Sequence, residues 1–175
     1  MMPALLNFLS AEDKPDARPS AAFAVQVTGS GRPMILIPGL SCGGNVWDGA
    51  VAHFKDRYQC HVLTLAGFAG HPPIGGPFLE TVRYGLEKYI RDQKLKRPVI
   101  VGHSLGGVLA FWIGATAPDQ VGPIIAVDGV PFFPGLRDTI ATAESSQTYA
   151  ANLRDNYLKM TPEQFMTSNR DSWPQ

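Results

Sequence analysis

The sequence predicts an α/β fold, a mostly parallel sheet flanked by helices, with a helical segment at its C-terminal end. Three observations carry this reading. Short apolar runs alternate with stretches of helical spacing from about residue 22 to residue 127. Glycine and proline clusters punctuate the boundaries, and no β-like run appears after Pro134. Residues 1–20 read as a flexible N-terminal tail, polar and proline-bearing from Ser10 to Ser20, residues 21–130 as the α/β core and 131–175 as the helical segment.

Within the core, Ala22 to Thr28 alternates apolar and polar residues and reads as a strand. Gly29-Ser-Gly31 turns into a second, fully apolar strand at Met34-Ile-Leu-Ile37, which stops at Pro38-Gly39. Residues 45–54 can form one short helix, with Val46, Trp47, Val51 and Phe54 facing inward. Cys60 to Leu65 is a third strand, and the glycines and prolines from Ala66 to Pro77 make a loop. Leu79, Val82, Leu86, Tyr89 and Ile90 recur at helical spacing, which predicts an amphipathic helix over 78–93. The apolar run from Pro98 leads into Gly102, a helix follows to about Ala117, and Ile124 to Val127 reads as another buried strand. Parallel strands joined by helix-sized crossovers are the economical arrangement. Beyond it, residues 138–158 read as helical. A last helix starts at Thr161-Pro-Glu-Gln164, with threonine as N-cap, proline at the first helical position and Gln164 placed to close a capping box.

Composition bounds the function. Hydrophobic residues make up 45% of the 175 residues and charged residues 17%, enough for a core and unlike a disordered chain. Fifteen basic and fifteen acidic side chains cancel, without a basic block, so nothing points to nucleic acid. No apolar run has the length of a membrane span, and the N-terminus lacks the features of a signal peptide, so a soluble, cytoplasmic protein is the expectation; a secretory leader already removed would leave the same sequence. Cys42 and Cys60 could be buried thiols or one bridge, and no Cys/His spacing reads as a metal site.

One motif carries chemistry. Gly102-His-Ser-Leu-Gly106 fits G-x-S-x-G, with an apolar strand leading in and a helix leading out. A sharp strand-to-helix turn lifts the serine hydroxyl out of the sheet, and the helix N-terminus favours a developing oxyanion. An earlier glycine-rich loop, Pro38-Gly-Leu-Ser-Cys-Gly-Gly44, follows the second strand. The pairing of these two elements resembles the α/β-hydrolase superfamily, in its serine esterase and lipase-like members. The loop Leu65-Ala-Gly-Phe-Ala-Gly-His71 is similar to the superfamily's loop after its next strand. The likeness covers roughly residues 22–130.

The resemblance implies that Ser104 is the catalytic nucleophile and that the backbone N–H groups of Leu40 and Leu105 form the oxyanion hole. It implies a small-molecule carboxylic ester or related acyl substrate, an acyl-enzyme, and no metal or organic cofactor. Residues 131–175 resemble the helical cap that many members insert, with Phe132, Phe133, Tyr149, Leu153, Tyr157 and Phe165 as apolar lid residues. Acyltransferases, perhydrolases and C–C bond hydrolases share the same motifs.

The departure from the pattern is the base. The superfamily runs serine, acid, histidine in chain order, yet no histidine follows Ser104. Asp128, directly after a strand, could be the acid or a loop support, and His71 could line the pocket or act as an unexpected base. His53, His61 and His103 read as surface or packing residues. The expectation is a fold cut before its sheet is complete, with an apolar edge that invites a second copy or a complementing chain. The rival expectation is a catalytically silent scaffold that binds a small molecule or a partner.

Overall fold

The computed structural model describes residues 22–136 and 138–171; the expected tail, residues 1–20, lies outside them. The chain divides into two compact units, one ending at Pro131 and the other beginning at Phe132.

The first unit is a five-stranded sheet in the order β1-β3-β2-β4-β5, built from β1 (Phe23–Thr28), β2 (Arg32–Ile37), β3 (Tyr58–Leu65), β4 (Val99–His103) and β5 (Ile124–Val127). The β2–β3, β2–β4 and β4–β5 pairs are parallel, and β1 runs antiparallel along the outside of β3. The turn before β2 needs its glycines. Gly29 has φ +84, and a Cβ there would sit 2.6 Å from the Tyr58 carbonyl oxygen. Helices α2 (Phe78–Asp92) and α3 (Leu105–Thr116) supply crossovers, and a 3-10 turn (Gly44–Trp47) leads into the short helix α1 (Asp48–Phe54).

Alternation along the strands divides the core between the two faces of the sheet. Ile35, Ile37, Leu63 and Ile100 pack with Val82, Leu86 and Ile90 of α2 and with Leu109 and Ile113 of α3. Met34, Leu36, Val62 and Val101 face the other way, against Trp47, Val51 and Phe54. A buried aliphatic side chain contributes about 1.5–3 kcal/mol, so both layers hold the strands in register.

The structure corrects three details. Residues 45–54 are not one helix: the 3-10 turn gives way to α1 at Trp47, whose ψ of 1° lies outside the α region, and this rotates Val46 out to 49% exposure. β5 is not buried. It is the sheet edge among the described residues, and its register with Val101 and His103 places Ile125 and Val127 on the face where the 3-10 turn and α1 pack against β2 and β3. Both therefore stay exposed, at 49% and 43%.

The third correction lies in the second unit, where helix α4 spans Ala143–Lys159 rather than starting at 138. The local polar groups of residues 138–142 compete with the helix. Asp138 accepts from the Ile140 amide through its side chain, and Thr142 and Ser145 exchange side-chain-to-backbone bonds at 3.1 and 2.9 Å in a capping box. Helix α5 (Pro162–Asp171) starts as the sequence predicts. Thr161 Oγ1 accepts from the Gln164 amide at 3.2 Å, and Gln164 Oε1 accepts from the Thr161 amide at 2.9 Å. Tyr157 and Phe165 meet edge-on at 5.8 Å between ring centres.

Both cysteines are free thiols: Cys60 is buried and Cys42 half-buried. Burial pushes the Cys60 thiol pKa up. His61 is buried on β3, bonded through Nδ1 to the Tyr89 hydroxyl at 2.7 Å and through Nε2 to Gln59 Oε1 at 3.0 Å. Burial holds its pKa below the ordinary 6.5. Below that value the unfolded chain takes up a proton that the folded chain refuses, so the stability from neutral His61 is full above about pH 6.5 and lost as pH falls. The urea midpoint is expected to drop between pH 7 and pH 5, and His61→Gln to flatten that part of the profile. An unchanged slope in the variant would remove His61 as its source.

Candidate active site

Ser104 stands between the last residue of β4 and the first of α3, at φ 49 and ψ −112. A non-glycine residue at positive φ is strained, by about 1–3 kcal/mol, and must be held by its surroundings. Here the Ser104 amide donates to the Val127 carbonyl at 3.0 Å, and its own carbonyl accepts from Gly107 and Val108 at 2.9 and 3.2 Å to open the helix. The Ser104 hydroxyl makes no capping bond, so it is left for other chemistry.

The flanking glycines are steric requirements. A Cβ on Gly102 would run into the Gly106 carbonyl and lie 2.6 Å from the Gly107 nitrogen. A Cβ on Gly106 would strike the Ile37 carbonyl and lie 2.9 Å from that of Pro38. The elbow and the loop after β2 therefore touch through bare backbone. Gly39 closes the contact, because a Cβ there would be 2.8 Å from His103 Nδ1 and 3.4 Å from Ser104 Cβ. The loop is pinned by the Cys42 amide donating to the Gly39 carbonyl at 3.2 Å and the Gly44 amide donating to Thr64 Oγ1 at 3.1 Å. Among the described residues no acceptor takes the Leu40 or Leu105 amide. Leu40 follows Gly39, whose added Cβ would lie 3.4 Å from Ser104 Cβ, and Leu105 follows Ser104 at the positive N-terminus of α3.

Beside these amides is an open cavity of about 340 Å³ whose lining includes Leu40, Leu105, Phe68 and Phe78. Sequence reasoning misses its walls. Phe68 and Ile74 belong to the loop 66–77, and the available signal is two apolar side chains in a segment otherwise rich in glycine and proline. Positive φ at Gly67, Ala69 and Gly70 coils this loop, and Phe68 meets Phe78 edge-on at 5.8 Å.

Among the described residues, none of the remaining candidates hydrogen-bonds to Ser104. His71 is half-buried, with Nδ1 3.3 Å from the Pro72 carbonyl oxygen. Asp128 is exposed at φ 48 and makes no hydrogen bond or ion pair among the described residues. Its neighbour Gly129 lies under the elbow, where a Cβ would be 3.0 Å from the Ser104 carbonyl oxygen. His103 packs against Gly39 and lines a 260 Å³ cavity with Val46, Trp47 and Val127. His61 is engaged by Tyr89 and Gln59, and His53 stacks edge-on against Phe54. Among the described residues no group of His, Cys, Asp and Glu side chains could hold a metal ion, and no helix is long and apolar enough to cross a membrane.

The family model for the alpha/beta hydrolase family matches residues 34–175. This chain belongs to the α/β-hydrolase family. The expected α/β-hydrolase fold, mostly parallel and partial, is thereby established. The chain is 31% identical over 144 residues to a pimeloyl-[acyl-carrier protein] methyl ester esterase of Aliivibrio salmonicida (strain LFI1238), covering 81% of this chain and 53% of that protein. A protein of the same description from Nitrosomonas europaea is 26% identical over 149 residues, covering 84% and 57%. Among solved structures, a marine microorganism esterase superposes with a TM-score of 0.61 at 24% identity, covering 81% of this chain and 52% of that one. A thermophilic esterase from Thermogutta terrifontis gives 0.57 at 25% identity, covering 62% and 40%. This α/β-hydrolase chain thus spans about half the length of the curated relatives it matches.

Proposed function

We propose that Ser104 is the nucleophile of a serine esterase acting on a carboxylic ester or a related acyl compound. The observation that carries this reading is a serine held at strained φ, its hydroxyl unused by the helix cap, beside the two unengaged amides of Leu40 and Leu105. Ser104 Oγ attacks the ester carbonyl, and the Oγ–C bond forms as the carbonyl π electrons move to oxygen. The Leu40 and Leu105 N–H groups stabilise that oxyanion, a contribution of about 10²–10³ in rate per donor. Collapse breaks the bond to the alcohol oxygen, which takes the proton that left Ser104, and water then hydrolyses the acyl-enzyme. The relatives named as esterases support the substrate class.

The proton needs a carrier. None of the four histidines is bonded to Ser104, and none follows it in the sequence. In this reading the base is a histidine from outside these residues, either a further segment or a complementing chain at the β5 edge. The same observation favours a second reading, a hydrolase scaffold that binds an ester or a partner without turning it over. The burst of p-nitrophenolate released from p-nitrophenyl acetate by this chain and by Ser104→Ala separates the two. A burst approaching one equivalent that vanishes in the variant supports the esterase. No difference between the two proteins favours the silent scaffold.

A further inference from the structure

Resting on the reading of Ser104 as nucleophile, we infer that the cavity beside the oxyanion amides is the subsite for the apolar arm of the ester. It favours an uncharged alkyl chain and has room for roughly six to ten heavy atoms.

Position, chemistry and rigidity support this. Leu40 and Leu105, the two residues whose amides receive the carbonyl oxygen in that reading, both line the cavity, so a group attached to the reacting carbon lies close to it. Its other walls include Phe68, Ile74, Phe78 and Leu79, and no lining residue is charged or polar. A carboxylate or ammonium entering there loses water without gaining a partner, whereas a methylene chain is stabilised by apolar packing. The open volume of about 340 Å³ leaves room for an alkyl arm of roughly six to ten heavy atoms, at about 30 Å³ for each water-sized group. The walls are set before any substrate arrives. Phe68, Ile74, Phe78 and Leu79 all pack against the main core cluster. The loop carrying Phe68 is tied by the His71 amide to the Phe68 carbonyl at 2.9 Å and by the Gly67 amide to the His71 carbonyl at 3.0 Å.

The test treats this 175-residue chain with p-nitrophenyl phosphonates whose alkyl group, methyl to decyl, sits on phosphorus or on the alkoxy oxygen. Peptide mass spectrometry reads the labelling rate at Ser104. The subsite predicts a rise of roughly 10- to 100-fold from methyl to hexyl in one of the two series, with a plateau by decyl. The series that rises identifies the arm as acyl or alcohol. Ile74→Trp, with Leu79→Trp as a second filling variant, is expected to shrink the hexyl-to-methyl ratio towards one. Labelling at Ser104 that is independent of chain length in both series overturns the subsite while leaving the nucleophile intact. If no probe labels Ser104, the nucleophile reading falls, and saturation-transfer NMR with hexan-1-ol decides the subsite. A hexanol signal seen with the parent chain and abolished by both folded tryptophan variants would uphold it. No signal with the parent chain, or an undiminished signal with both variants, would overturn it.

Discussion

Gly102→Ala is expected to lower stability by about 3 kcal/mol or more, and Gly106→Ala by a similar amount. The added methyl on Gly102 has no room, because it would overlap the Gly106 carbonyl of the following turn. On Gly106 it would meet the carbonyls of Ile37 and Pro38, which belong to β2 and to the loop that carries Leu40. Backbone, unlike a side-chain tip, cannot step aside without moving a strand, so the cost exceeds that of ordinary overpacking. Gly49→Ala is the control. It lies in α1 with nothing within 4 Å of the new methyl, and is expected to gain about 0.5–1 kcal/mol. Urea denaturation of the three variants checks the set. Equal stability of Gly102→Ala and the parent chain would mean that strand and helix do not meet in this tight elbow.

Added imidazole should accelerate ester hydrolysis through Ser104. A positioned general base contributes typically about 10²–10⁴ in rate, and in this chain none of the four histidines is hydrogen-bonded to Ser104. A free base lacks the advantage of position, so an increase of roughly tenfold is expected at high imidazole concentration. Imidazole attacks activated esters on its own, and the informative quantity is the increment that Ser104→Ala lacks. An imidazole response of the same size in both proteins would mean that the serine is not waiting for a base. Asp128→Asn offers a second comparison: if Asp128 only supports its loop, the imidazole-dependent increment is retained.

The elbow is legible in the sequence because its tight backbone contacts fall on the residues of the motif itself. Gly102, Ser104 and Gly106 form a pattern, and the apolar run before them and the helix after them give it context. The loop after β2 is legible as a strand ending in Pro38-Gly39. Positions that depend on distant partners are not. Nothing local says that β5 is an edge strand, because Ile124-Ile-Ala-Val127 reads as buried until the coverage of the neighbouring face is known. Helical spacing points Val46 inward, and the switch from 3-10 to α geometry at Trp47 turns it out. The Phe68 and Ile74 walls are hidden because a glycine- and proline-rich loop carries no periodicity. The start of α4 falls later than its pattern suggests because the Asp138 and Thr142 side chains compete locally with the helix. By contrast, the Thr161–Gln164 box is plain in the sequence, since both of its partners lie within one turn.

Acetylation of Ser104 is the most direct test of the account. The 175-residue chain is mixed with excess p-nitrophenyl acetate, quenched in acid, digested and mapped by mass spectrometry, with Ser104→Ala beside it. The account predicts one acetyl group on Ser104, accumulating because deacylation also lacks its base, and none on the matching peptide of the variant. A folded chain that leaves Ser104 unmodified while other side chains react would contradict it.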